Sequence, residues 1–367
     1  MRQLSTLIVL IVGLVAGYAA SHYVINPQPA MVAAPEATAP AAPAEAAVRL
    51  KMASAYASTT PMIGELIFRF NDTVAAMSDG GIEIKYYEPG ALVPALEIFD
   101  AVSSGSVDMG YATPGFWAGK VPALQLFAAV PFGPASAEYM AWMYFGGGQA
   151  IYDDLYAKNK IKGLPCGLFP PEASGWFREE IKSLDDLKGL KMRFFALGAR
   201  VMEKLGVSTQ LLAGGDIFPA LELGTIDATE YASPAIDQGL GFYQIAKHYY
   251  FPGWHQQSTW VDVIFNLDKW NALSPRQQLL LSTACGDSVR ESIAMGEARQ
   301  VPAIAFLKEK GVQFHQWPQE ILDAYRAAWD EVVAEEAAKD ADFARAWESL
   351  KAFRESYSTW KELGYLK

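Results

Sequence analysis

Apolar and polar positions alternate over residues 48–56 and again at Ile82, Ile84 and Tyr86. Between them Ile63, Leu66, Ile67, Phe70, Val74 and Met77 recur at intervals of three and four. The first pattern is that of a half-buried strand, the second that of a helix with one apolar face. Gly80 and Gly81 part the helix from the next strand, and Pro89 and Gly90 close that strand with a turn. A helix is predicted over 92–102 and a short strand over 107–112. This strand–helix–strand rhythm with short connections predicts an α/β fold containing parallel strands, with ligands at the carboxyl ends of strands. Further on, strands are predicted at 166–169, 190–194, 226–231, 260–266 and 312–317. Helices are predicted at 201–205, 216–223 and 274–295, the last with Ser274 as its cap and Pro275 at its first position. The chain closes on helix: Phe343, Trp347, Leu350, Phe353, Tyr357 and Trp360 form one stripe, expected to pack on the core, the alternative being a contact between two copies of the chain.

The N-terminus changes the picture. Arg2 precedes an uncharged run from Gln3 to Ser21 with a strongly apolar centre. Residues 1–26 are therefore expected to be an export signal or an uncleaved signal anchor. Residues 27–47 hold five Pro and ten Ala and too few large apolar residues to fold, so they read as a semi-extended linker. The remainder is long enough for two domains. A formal net charge of −11 leaves no basic stripe for phosphates, which excludes a nucleic-acid partner. The two cysteines, Cys166 and Cys285, exclude a cysteine-rich metal site and are expected to be separate buried thiols, with a single disulfide as the alternative. The four histidines show no ligand spacing, so a histidine-based zinc or iron site is not expected. Gly146, Gly147 and Gly148 follow a helical end and precede no Gly-Lys-Ser/Thr, so they read as a helix stop and not a nucleotide loop.

Candidate chemistry centres on Arg193. Leu190, Met192 and Phe194 alternate with Lys191, Arg193 and Phe195, which puts the arginine on one face of a short strand among large apolar residues. A buried guanidinium is costly without an anion, and its planar fork matches a carboxylate. Two readings are open: a structural bridge to the nearby Asp185 or Asp186, or a clamp for a ligand carboxylate. Glu230 falls at the predicted carboxyl end of a strand, while Glu172 sits in a Pro-Gly loop where a lone acid is normally solvated. Phe116 and Trp117 follow the strand at 107–112 and read on their own as core.

The runs GLKMRF at 189–194, GGDIFPALELGTIDATEY at 214–231, FPGWHQ at 251–256 and GWFR at 175–178 resemble the solute-binding proteins of TRAP transporters. They are most like the branch that binds 2-oxo acids together with a metal ion, and the resemblance spans about residues 48–360. It implies a two-lobed periplasmic solute-binding fold whose hinged lobes are each a β-sheet flanked by helices, with a long C-terminal helical region at 317–367. Lobe 1 would hold 48–171 and lobe 2 172–258, each completed by part of 259–367. The resemblance makes Arg193 the carboxylate clamp and gives a metal site of Glu172, Glu230, the main-chain oxygen of Tyr231, and Gln256. These are hard oxygen ligands that accept sodium, the ion favoured, or calcium. Phe116, Trp117, Trp176 and Trp254 would shape the space for the ligand's tail, beside Glu172 and Arg193. The chain departs from the pattern at three positions: relatives carry glutamine in place of Glu172, tryptophan in place of Tyr231 and glutamate in place of Gln256. The Glu/Gln exchange conserves charge, so the site is retained while the ion's identity is open.

The implied function is an extracytoplasmic receptor that delivers a small monocarboxylate, a 2-oxo or 2-hydroxy acid such as pyruvate, to TRAP membrane subunits. It would be periplasmic, free if the signal is cleaved and tethered to the inner membrane if it is not, and monomeric or homodimeric. The alternatives are a receptor for dicarboxylates or sugar acids without metal, and an exported enzyme using Glu172 or Glu230 as general base; no nucleophile–base motif or cofactor fingerprint supports the last.

Overall fold

The structure is a computed structural model that describes residues 47–366. The export segment expected at 1–26, and the linker expected at 27–47 except its last residue, lie outside them. The strands are β1 (Val48–Ser54), β2 (Ile82–Tyr87), β3 (Met109–Ala112), β4 (Ile161–Phe169), β5 (Gly175–Phe177), β6 (Lys191–Arg193), β7 (Ser208–Gln210), β8 (Ala228–Thr229), β9 (His248–Phe251), β10 (Thr259–Asn266) and β11 (Gln313–Gln316). They form two mixed sheets, a five-stranded one in the order β2-β1-β3-β10-β4 and a six-stranded one in the order β11-β9-β5-β8-β6-β7. The chain leaves the first sheet after β4, builds most of the second, and returns as β10 between β3 and β4, antiparallel to both. β1 pairs in parallel with β2 and β3, and β6 with β7 and β8, as the short strand–helix–strand units require.

The helix Ile63–Met77 buries the predicted stripe of Ile63, Leu66, Ile67, Phe70 and Val74. β10 is buried along its whole length, and its side chains are apolar on both faces except at Asp262 and the two ends. The helix Pro275–Ala298 lies on β4, with Ser274 as the expected cap and Gln277 completing a capping box. Cys166 on β4 and Cys285 in this helix are bonded to each other, across a sequence separation of 119 residues. Separate thiols were the expectation; helix-on-strand packing, which no local pattern reports, brings them together. The run of glycines at 146–148 does end the helix Ser136–Phe145, but a second helix, Gly148–Ala157, restarts at once. Gly147 makes the turn at φ 94°, a conformation that favours glycine. The final helices are Gln319–Lys339 and Ala341–Gly364; the last buries Phe343, Ala346 and Leu350 and leaves Trp360 and Leu363 exposed at its end. No helix among the described residues is long and apolar enough to cross a membrane.

Asp262 is the anomaly of the core. Its Oδ2 accepts from the Tyr156 hydroxyl at 2.8 Å, its Oδ1 has no partner, and burial pushes its carboxyl up to about 8. An unfolded aspartate titrates near 4, so over roughly pH 4–8 the folded chain keeps a proton the unfolded chain has released. Stability then falls as pH rises, and the contribution is gone once pH passes the folded value. Asp262→Asn is expected to flatten this fall, which has a limiting slope of about 1.4 kcal/mol per pH unit. Urea midpoints of both proteins across that window would run parallel if Asp262 were ionised throughout.

Candidate functional site

Parallel pairing of β6 with β8 sets Arg193 opposite Thr229, so Arg193 and Glu230 emerge together at the carboxyl ends of neighbouring strands. Arg193 is 2 % exposed and Glu230 fully buried. Arg193 Nη1 donates to Glu230 Oε1 at 2.7 Å and to the Glu230 main-chain oxygen at 2.8 Å, and Nε donates to the Leu212 carbonyl at 3.3 Å. The guanidinium carbon stands 5.4 Å from the centre of the Tyr231 ring. Asp185 and Asp186 take no part: they sit in an exposed capped turn, where Asp186 accepts from Ser183 and Asp185 pairs with Lys188. The bridge to one of them is therefore excluded, and Glu230 is the arginine's acid.

Glu172 and Gln256 arrive on two of the three segments that cross between the sheets, residues 170–174 and 252–258. Their backbones meet, with Glu172 N donating to the Gln256 carbonyl at 3.2 Å. A Cβ at position 253 would stand 2.2 Å from the Glu172 carbonyl oxygen, so glycine is required there for the segments to approach. Gly214 plays the same part against the Tyr231 ring, whose hydroxyl would lie 2.6 Å from an added Cβ. Glu172 Oε1 accepts from Gln256 Nε2 at 2.6 Å and from the Thr259 hydroxyl at 3.0 Å.

His255, which the sequence reading set aside, completes the group. Its Nε2 lies 3.8 Å from Glu230 Oε2 and 4.0 Å from Glu172 Oε2. The three side chains offer ligand atoms all within 4.8 Å of one another. Histidine spacing gave no sign of it, because its partners come from distant parts of the chain through the sheet order.

Five buried polar atoms here lack a partner: Glu172 Oε2, Glu230 Oε2, Gln256 Oε1 and both ring nitrogens of His255. Buried polar groups are nearly always satisfied, so such a cluster marks the place of a group that satisfies them. The electrostatics agree. Burial, reinforced by Glu230 and then Asp237, raises Glu172 well above the usual carboxylate range. Burial also raises Glu230, against the opposing pull of Arg193. Burial and then Arg193 press His255 down to about 3, so its ring is neutral. Two buried carboxylates face one guanidinium, and a cation among their free oxygens would balance the excess. Carboxylate and amide oxygens are the donors that sodium or calcium takes, so the residues fit such an ion.

The adjoining cavity leaves ≈ 40 Å³ for the centres of water-sized atoms. Phe116, Glu172, Arg193, Tyr231 and Gln256, all singled out from the sequence, line it. Tyr56, Thr113, Phe195 and Thr259 line it as well, with no motif to announce them. Phe116 packs edge-on against Phe195 with centroids 5.2 Å apart. The three tryptophans do not line it. Trp117 turns into the core against Phe99. Trp176 stacks on Tyr249 at 3.7 Å and donates Nε1 to Asp237 Oδ2 at 2.8 Å. Trp254 stacks on Tyr325 at 4.4 Å. Each indole is buried against these partners and is absent from the cavity lining, where it was expected beside the ligand's tail.

Comparison with known proteins bears on this arrangement. The monocarboxylate 2-oxoacid-binding periplasmic protein of Nostoc sp. is 38 % identical over 293 residues, 80 % of each chain. A TRAP transporter solute-binding protein from Bordetella bronchiseptica, solved as a mixed-occupancy dimer with calcium and picolinate bound, is 34 % identical at a TM-score of 0.85, covering 87 % of this chain and 95 % of that one. A TRAP periplasmic solute-binding protein from Pseudoalteromonas atlantica, solved with sodium and pyruvate, is 32 % identical at a TM-score of 0.83, covering 86 % and 96 %. The profile of the bacterial extracellular solute-binding proteins of family 7 matches residues 52–340, and the chain belongs to that family.

Proposed function

We propose that this chain is the extracytoplasmic receptor of a TRAP-type transporter and binds a small 2-oxo or 2-hydroxy monocarboxylate such as pyruvate together with sodium or calcium. The observation that carries the reading is the set of unpartnered buried oxygens beside Arg193, at a cavity sized for a few heavy atoms. By the measure that a water needs about 10–15 Å³ of such space, the cavity takes the place of about three or four waters. That suits a three-carbon acid and is too small for a sugar acid.

Glu172, Glu230 and Gln256 would hold the ion through their free side-chain oxygens, with the main-chain oxygen of Tyr231 as a further ligand. A bound cation supplies positive charge that the two carboxylates and the incoming acid share. Arg193 keeps Glu230 in place and turns the rest of its guanidinium toward the ligand carboxylate. Phe116 and Tyr231 exclude water from the ligand's apolar end.

The two sheets would be the cores of two lobes, 48–171 and 172–258, each completed by part of 259–367, closing on the ligand about residues 170–174 and 252–258. The closed form would be the one the membrane subunits recognise. The acid would be released unchanged, in the periplasm, with the chain tethered there if 1–26 is not cleaved.

Calorimetric titration tests this reading. Pyruvate is expected to bind at least tenfold more tightly in sodium or calcium than in potassium with chelator. Binding confined to dicarboxylates or sugar acids and indifferent to the cation would overturn it, as would turnover of the bound acid.

A further inference from the structure

A second group of nitrogen ligands lies in the six-stranded sheet, apart from the cavity. β9 and the edge strand β11 run parallel, with His248 opposite Gln313 and His315 opposite Tyr250. Residues two apart on a strand share a face, so His315 emerges diagonally beside His248. Nδ1 of His248 and Nε2 of His315 are 3.0 Å apart. Two metal–nitrogen bonds of about 2.0–2.1 Å at a tetrahedral angle need about 3.3 Å, a few tenths of an ångström more.

The surroundings suit a ligand pair. The outer nitrogen of His315, Nδ1, faces Glu180 Oε1 at 3.9 Å. A ligating histidine almost always gives its second N–H to a carboxylate or carbonyl, which fixes the ring and raises its basicity. Tyr250 stacks on the same ring at 4.7 Å and holds its plane. Burial and the neighbouring His248 ring keep His315 below the usual histidine range, so its ring is neutral at neutral pH. The side chain of His315 is 18 % exposed and that of Glu180 41 %, so water reaches the site and can fill the remaining coordination positions. Lys182 occupies the other oxygen of Glu180 at 3.2 Å and leaves Oε1 for the histidine.

We infer that His248 and His315 form an exchangeable two-histidine site for a divalent ion that prefers imidazole, such as zinc, nickel or copper, with Glu180 as the carboxylate behind it. Two imidazoles select against sodium and calcium, which take oxygen ligands. This site is thus separate from the cavity in both position and chemistry. A metal held here would clamp the edge strand to β9, the strand that runs on into the segment bearing His255 and Gln256.

Equilibrium dialysis of the untagged protein against micromolar zinc provides the test, with His248→Gln, His315→Gln and Glu180→Gln alongside. Either histidine substitution is expected to remove one equivalent of bound zinc or weaken it at least tenfold. Glu180→Gln should weaken it about tenfold while leaving the stoichiometry intact. Zinc taken up by the cavity carboxylates is common to all four proteins and cancels. Unchanged melting temperatures without metal, and unchanged pyruvate binding, show that the variants are folded. Should a variant fold poorly, copper added to the unaltered protein is expected to show two imidazole nitrogens in its electron paramagnetic resonance spectrum. Zinc uptake that is the same in both histidine variants and the parent, or a copper spectrum without imidazole nitrogen, would reduce the pair to a hydrogen bond between the two rings.

Discussion

Arg193→Ala is expected to weaken pyruvate binding about 100-fold or more and, at the same time, to destabilise the fold by about 3–5 kcal/mol. Both effects come from one side chain, but from different partners. The stability loss arises because Glu230, fully buried, is left without the guanidinium that holds its Oε1 at 2.7 Å. The affinity loss arises because the cavity loses its one lining cation. A double variant separates them. Replacing Arg193 by methionine and Glu230 by glutamine removes both charges from the pair and should recover most of the stability, since a buried ion pair contributes little over a well-packed neutral one. It should not recover binding. Urea unfolding and calorimetric titration of the three proteins decide the matter; pyruvate affinity retained in Arg193→Ala would remove the arginine from the site.

The second large effect belongs to the disulfide. Reduction, or the pair Cys166→Ala with Cys285→Ala, is expected to lower stability by about 2–5 kcal/mol, toward the upper end because the bond closes a loop of 119 residues. Pyruvate affinity at low temperature should stay within about twofold, because neither cysteine lines the cavity. Thermal unfolding with and without reductant shows the difference. Identical melting curves would mean that the thiols are not joined in solution, the state the sequence alone favoured.

What the sequence reveals here is what can be read locally. The helix Ile63–Met77 is legible because its six apolar positions keep one period, and Arg193 because its strand alternates around it. The partner of Arg193 is not legible. Asp185 and Asp186 are nearer in sequence, yet they cap an exposed turn, while Glu230 arrives 37 residues later through the parallel pairing of β6 and β8. His255 fails for the same reason: ligand spacing rules look along one element, and this histidine meets its acids across three. β10 is buried on both faces, because the chain returns to insert it between two strands already laid down. The family likeness singled out Gln256 and Glu172, the latter a residue that local reasoning alone would have left in solvent. It also set Trp117, Trp176 and Trp254 beside the ligand's tail; the structure packs each of them against another aromatic ring.

Two of the three segments that join the sheets, 170–174 and 252–258, also carry Glu172, His255 and Gln256. Glu230, by contrast, sits at the end of β8, inside one sheet. An ion and acid held by Glu172, Gln256 and Glu230, as proposed, would bond to the joint itself, so their binding energy would act directly as a torque on the angle between the sheets. Thermodynamic reciprocity then runs the other way too: whatever fixes that angle from outside, including a membrane partner that prefers one angle, must change the affinity for the acid by the same factor. The receptor would thus hand over its cargo when its partner bends it, with no separate release device.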